Sequence, residues 1–196
     1  NSLINQFFDG EAPQTTSIEV MTNAASDDRA LFYSQGYTQQ IANEGDINAG
    51  FSCVKFRNVR SDGQPNRVIT FVNTDLFLLR IAEAYLTYAE ASTRLNGPNA
   101  DAASMINALR IRANCRTNSV YSLSEIRDEW SREFWFEGRR RMDLIRFGCY
   151  GGQSEYRWEW MGGTFEGTPF GAYMNIFALP ANELENNPNL IQNEGY

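Results

Sequence analysis

The sequence contains no histidine, a single lysine (Lys55), and no apolar run approaching the roughly 20 residues that a membrane-spanning helix requires. Each shortage removes a class of function. Without histidine there is no commonest general base, no Ser-His or Cys-His nucleophile pair and no commonest metal ligand. No Gly-rich phosphate loop, metal-ligand cluster or nucleophile elbow is present either. Nothing in the residues calls for a metal or a cofactor. Cys53, Cys115 and Cys149 are far apart and odd in number, and no pair has the spacing of a zinc site or a redox CxxC. They read as buried or idle thiols, with a disulfide between two of them left open. Positive charge is also short: 17 Lys and Arg against 24 Asp and Glu give a formal net charge of -7. That disfavours nucleic-acid binding and electrostatic docking on an anionic bilayer. No signal peptide or lipid-attachment cysteine stands near the start. The opening Asn1-Ser2-Leu3, without an initiator Met, reads as a fragment or a renumbered chain, so the missing targeting segment carries no information.

What is present suits one well-cored domain: 196 residues, 42% hydrophobic and 13% aromatic. Every basic residue but Lys55 is arginine. Arginine pairs bidentately with carboxylates and tolerates partial burial, so an Arg–Glu/Asp network inside or between helices is expected.

Three stretches emerge along the chain. Residues 1–73 are loop-rich, with a short helix expected near Asp27–Phe32, a short strand over Phe51–Phe56, and a turn-rich loop at Asn58–Asn66 containing Ser61-Asp62-Gly63. Residues 74–148 form a helical core. Its first helix, Leu76–Leu95, is apolar nearly all round and so buried on most sides, and it stops at Asn96-Gly97-Pro98. A second helix, Asp101–Asn114, turns Ala103, Ile106, Leu109 and Ala113 inward, and the two should pack as an antiparallel hairpin. The third opens with a capping box, Ser122 and Glu125, and buries Ile126, Trp130 and Phe134. Gly138 interrupts it before a further helix over Arg139–Phe147, ended by Gly148. Residues 149–196 form an aromatic, Gly-rich loop and an extended tail, with one helical turn at Pro180–Glu185.

Several segments, taken in order, resemble the C-terminal part of SusD/RagB proteins. They are Asp75–Ala91 followed by Ile106–Ala113, then Ile126-Arg127-Asp128-Glu129 through Phe136-Glu137-Gly138-Arg139-Arg140 to Asp143–Gly148, and Ile176–Pro180 through Asn187-Pro188-Asn189-Leu190 to Gly195-Tyr196. The resemblance implies a mainly α fold, a SusD-like α-α superhelix of tetratricopeptide-like hairpins with long irregular loops and little strand. It implies a non-catalytic binder of oligosaccharides or polysaccharides on the extracellular face of the outer membrane of Bacteroidetes-type bacteria. Such a protein is held by a lipid anchor outside this chain and delivers glycan to a SusC-like TonB-dependent transporter. An interaction fragment gripping the transporter, or capture of another nutrient such as peptides, remains the alternative. Family members are usually longer, so much of a binding surface is expected upstream of this chain.

Two sets of side chains bear on chemistry. Paired acids hydrolyse glycosides when their carboxyls stand about 5–5.5 Å or 6.5–9.5 Å apart across a cleft. Here Glu83 and Glu90 stand seven apart on one helix and Glu133 and Glu137 four apart on another, with arginines in helical register beside these stretches: Arg80 with Glu83, Glu90 with Arg94, Glu129 with Arg132, Glu137 with Arg141. Arginine lowers a carboxyl pKa, the wrong direction for a general acid at neutral pH, so structural ion pairs are expected and catalysis is not. The run Arg139-Arg140-Arg141 with Arg146 reads likewise as glue between helices rather than an anion clasp. The second set is aromatic. Sugars stack their C–H faces on flat rings, and glycine lets a backbone swing rings outward. The plainer reading is that the rings of residues 150–173 pack down on the helices. The functional reading makes Tyr156, Trp158, Trp160 and Phe165 part of a glycan platform, with Trp158 and Trp160 facing the same side of an extended piece. Phe7, Phe8, Tyr33 and Tyr37 are further candidates for ligand contacts.

Overall fold

Local signals decide where the elements start and stop. In the computed structural model, which describes residues 3–60, 62–72, 74–75 and 77–196, the first helix is α1, Ile18–Ala25. Ser61 and Leu76, named above, lie outside the described residues. The Ser17 hydroxyl accepts from the Val20 amide at 3.3 Å to begin α1, and Ser26, left-handed at φ 50°, ends it. The helix expected near Asp27–Phe32 is therefore displaced upstream. There the Asp27 carboxylate takes the Arg29 amide and the Arg29 Nε, both at 2.9 Å, and a turn replaces the helix. The chain then enters β1, Phe32–Tyr33, which pairs antiparallel with β2, Ser52–Cys53, in the register Phe32 to Cys53.

Helix α2 spans Ile81–Asn96, starting later than the pattern predicts. Arg80 stands before it in extended conformation, drawn out by hydrogen bonds to Glu133 and Glu137, so the apolar residues ahead of it never join the helix. Helix α3, Ala100–Arg112, follows after three residues, with the Asn99 side chain accepting from the Ala102 amide at 2.9 Å. So short a link makes α2 and α3 an antiparallel, tetratricopeptide-like hairpin. Helix α4, Leu123–Phe134, carries a complete capping box: the Glu125 amide donates to the Ser122 hydroxyl at 3.3 Å, and the Ser122 amide to the Glu125 carboxylate at 2.8 Å. It ends when Trp135 turns extended and Phe136 adopts φ 60°, two residues ahead of Gly138. Helices α5, Arg140–Arg146, and α6, Ala181–Asn186, complete a mainly helical architecture among the described residues. No helix among them is long and apolar enough to cross a membrane.

The chain divides into two units, one up to Gly138 and one from Arg139 onward. In the first, α2 buries Ala82, Leu86 and Ala89, α3 buries Ala103, Ile106 and Leu109, and α4 buries Ile126, Trp130 and Phe134. A second core joins Ile4, Phe7, Phe8, Met21 and Phe32 to Trp135, whose ring lies 4.6 Å from that of Phe32. Phe7 and Phe8 are therefore core residues and unavailable to a ligand. Helix α2 is also not buried all round. Ile81, Ala84, Tyr88, Ala91 and Leu95 lie exposed along one face, because only its opposite face meets α3 and α4.

Candidate functional site

In the first unit the acids of α4 and the residues beyond it form one continuous cluster of ion pairs. Glu129 is fully buried and is reached by Arg29 and Arg132, each at 2.8 Å, and by Arg110 at 3.2 Å. Glu133, one turn on, takes Arg29 at 3.0 Å, Arg80 at 2.5 Å and Arg112 at 2.7 Å. Glu137 is held by Arg80 at 2.8 Å and Lys55 at 2.6 Å, and Asp27 by Arg29 at 2.8 Å. Residues drawn from positions 27 to 137 thus share charges that helical spacing alone does not pair.

The electrostatics follow from that crowding. Burial pushes the Glu133 carboxyl up, but hydrogen bonds from Arg80 and the charge of Arg29, with Arg112 beside them, outweigh it and hold the group at about 2. Burial likewise opposes ionisation of Glu129, and the charges of Arg29, Arg132 and Arg110 bring its pKa below the usual carboxylate range. Lys55 moves down chiefly through burial, although its ammonium donates to the Glu133 and Trp135 carbonyls as well as to Glu137. Carboxyls held ionised in this way are acceptors for guanidinium and poor proton donors at neutral pH.

Some expected pairs sit where spacing puts them and others do not. Glu90 and Arg94 meet at 3.0 Å, and the other Glu90 oxygen accepts from the Trp130 indole at 3.1 Å. Arg80 is outside the helix that carries Glu83, so their three-residue spacing sets no helical register, and Arg80 forks onto Glu133 and Glu137. The pairing expected of Glu137 with Arg141 presupposed an unbroken helix. Because α4 stops at Phe134, the four-residue spacing loses its meaning; Glu137 takes Arg80 and Lys55, and Arg141 donates to the Met174 carbonyl at 2.6 Å. In the second unit Arg141 also lies 3.7 Å over the Phe177 ring, and Arg146 pairs with buried Asp143 at 2.9 Å.

The aromatic segment belongs wholly to that second unit. Tyr156, Trp158, Trp160 and Phe165 are all half-buried. Trp158 is the hub of one cluster, with ring centroids 6.1 Å from Tyr156, 6.4 Å from Tyr150 and 5.9 Å from Phe170. Trp160 instead meets Phe165 edge-on at 5.9 Å. The two tryptophans do not alternate along an extended piece: Trp160 takes a left-handed conformation at φ 65°, and its amide closes a turn by donating to the Phe165 carbonyl at 3.2 Å. Gly167 makes this turn possible, since with φ 80° a Cβ there would stand 2.5 Å from the Trp158 carbonyl. Arg140 fixes the outer ring by donating to the Tyr156 hydroxyl at 2.7 Å. The result is two groups of partly accessible rings on a tightly turned backbone, a surface suited to stacking. Among the described residues no group of three or more acids and cysteines is placed to hold a metal ion.

Comparison with known proteins adds kinship to this geometry. Residues 5–196 match the model of the SusD family. The chain is 47% identical over 184 residues to the starch-binding protein SusD of Bacteroides thetaiotaomicron, a match covering 91% of this chain and 32% of that protein. The chain therefore spans about a third of the length of that relative. Among solved structures it resembles surface glycan-binding protein A from Bacteroides uniformis, with TM-score 0.61, 22% identity, and coverage of 86% of this chain and 38% of that one. A laminarin-binding SusD-like protein matches at TM-score 0.58 and 21% identity, covering 98% of this chain and 42% of its own. At such identities these structures speak for the shared fold alone.

Proposed function

This chain belongs to the SusD family, and from that premise we propose that it is part of a non-catalytic glycan-binding protein of the bacterial cell surface. Its fold is the SusD-like helical one. In the proposed role the protein sits on the extracellular face of the outer membrane, captures oligosaccharides, and passes them to a SusC-like TonB-dependent transporter. The observation that carries the reading is the 47% identity to a protein named for binding starch, extending over nearly the whole of this chain. Two features of the molecule agree with it. The half-buried rings Tyr156, Trp158, Trp160 and Phe165 offer stacking faces, and the buried acids Glu129 and Glu133 are locked to guanidiniums rather than free for glycoside hydrolysis.

The test is calorimetric titration with malto- and laminari-oligosaccharides. Trp160→Ala or Phe165→Ala is expected to weaken binding about tenfold while leaving the melting temperature unchanged. Undiminished affinity in both variants overturns the ring platform, and release of reducing sugar overturns the non-catalytic reading. A second reading, an interaction fragment gripping the transporter, is favoured by the exposed face of α2 that carries Ile81, Tyr88 and Leu95. Tyr88→Glu should then abolish co-purification with the transporter and leave glycan affinity intact.

A further inference from the structure

The first unit holds an open cavity of about 320 Å³ that shares no residue with the ring segment. Four cations line it, Arg29, Lys55, Arg80 and Arg112. Glu133, Glu137 and Asp28 on its wall, with Asp27 behind Arg29, match them one for one. The inner wall is also fully engaged. The Lys55 ammonium donates to the Glu133 and Trp135 carbonyls and to Glu137, and Arg80 commits Nε, Nη1 and Nη2 to Glu133 and Glu137. Both Glu133 oxygens accept from arginines. A charged guest would meet no unanswered charge there and could gain one only by breaking a buried pair.

What stays open lies at the rim. Phe77, 60% exposed, presents a ring to the cavity, and half-buried Phe56 adds a second to the lining. Arg112, with a side chain 56% exposed, serves Glu133 through Nη2 alone, so its guanidinium still has N–H groups to donate. Asp28 is exposed and accepts from the Asn114 side chain at 2.5 Å through Oδ2, while its other oxygen takes no hydrogen bond among the described residues. The Asp28 amide donates to the carbonyl of Ala113, the residue after Arg112, at 2.9 Å. One acceptor and one donor are thus held on adjoining stretches of backbone, at the mouth of a cavity with aromatic lining.

We propose that this cavity binds one neutral pyranose, an uncharged hexose unit of a glycan. Its C–H face lies on Phe77, and two adjacent hydroxyls bridge the rim, one donating to Asp28 and its neighbour accepting from Arg112. A vicinal diol supplies that donor and acceptor together and brings no net charge into a site already in balance. The volume stands at the low end of the roughly 300–1,000 Å³ of small-molecule sites, which suits a single ring rather than a chain. That the guest is a sugar rests on the glycan reading above, but the site is a second one, built from residues other than Tyr156, Trp158, Trp160 and Phe165.

The experiment is an NMR titration of the whole chain with glucose, cyclohexanol and glycerol. Cyclohexanol keeps a ring face and lacks the diol; glycerol keeps the diol and lacks the face. Glucose is expected to bind about fivefold or more tightly than either, and to be nearly indifferent to salt. Glucuronate should bind no better than glucose. Phe77→Ala and Asp28→Ala, both at exposed residues, should each weaken glucose about fivefold without moving the melting temperature. Absence of saturable glucose binding, equal binding of cyclohexanol or glycerol, tighter binding of glucuronate, or full affinity in both variants overturns the assignment. The titrations are repeated in a chain carrying Trp160→Ala and Phe165→Ala, where the cavity should bind glucose as before. Failure of the ring platform is thereby told apart from failure of this site.

Discussion

Replacing Glu133 with glutamine removes the charge on which Arg29, Arg80 and Arg112 converge while keeping nearly the same shape. The amide retains one acceptor oxygen and turns an NH2 group toward guanidiniums that have nothing to accept from it. A carboxyl held at about 2 rather than 4.5 corresponds to roughly 3 kcal/mol of folding stability. The low end of the cost of breaking a buried ion pair, about 3–5 kcal/mol, agrees with that figure. The sign follows from the direction of the shift. Because the folded pKa is the lower one, the contribution is complete above pH 4.5 and fades as the pH falls toward about 2. Urea unfolding followed by tryptophan fluorescence should therefore show Glu133→Gln less stable by roughly 3 kcal/mol at pH 7. The gap should shrink steadily through the acid range, as the native carboxyl takes up its proton. A penalty below about 1 kcal/mol at pH 7, or one that stays constant with pH, would show that the cluster does not hold Glu133 ionised.

Two further outcomes are expected. Ser122→Ala removes half of the capping box of α4 and should cost about 1 kcal/mol in denaturant unfolding, with Ser122→Gly costing only a few tenths. Cys115, pushed up to about 12 by burial and by its contact with Asp27, should be the slowest of the three cysteines to react with iodoacetamide at pH 8, read by mass spectrometry of the modified peptides.

Much of the helical part was legible because short-range chemistry governs it. The Ser122–Glu125 box marks the start of α4, and the spacing of Ile126, Trp130 and Phe134 gives its buried face. What escaped was set by partners distant in the chain. Nothing near Arg80 in the sequence announces that Glu133 and Glu137 will draw it out and delay α2. Local polarity around residues 1–50 hid a core, since Phe7, Phe8 and Phe32 find their apolar neighbour in Trp135, about a hundred residues on. The ring segment was legible as composition and not as shape. The left-handed turn at Trp160 separates two rings that simple alternation would have aligned. Lys55 gave the faintest signal of all: as the only lysine it stood out, but its three acceptors lie some 80 positions away.

Arg29 joins Asp27, two positions away, to Glu129 and Glu133, which are 100 and 104 positions away. Bringing such distant stretches together costs chain entropy that the neighbouring helices α2 and α3 never face. On loop length the hairpin is expected to form ahead of the guanidinium clasp. A lesion at Arg29 should then leave the refolding rate nearly untouched and show itself in how quickly the finished molecule comes apart.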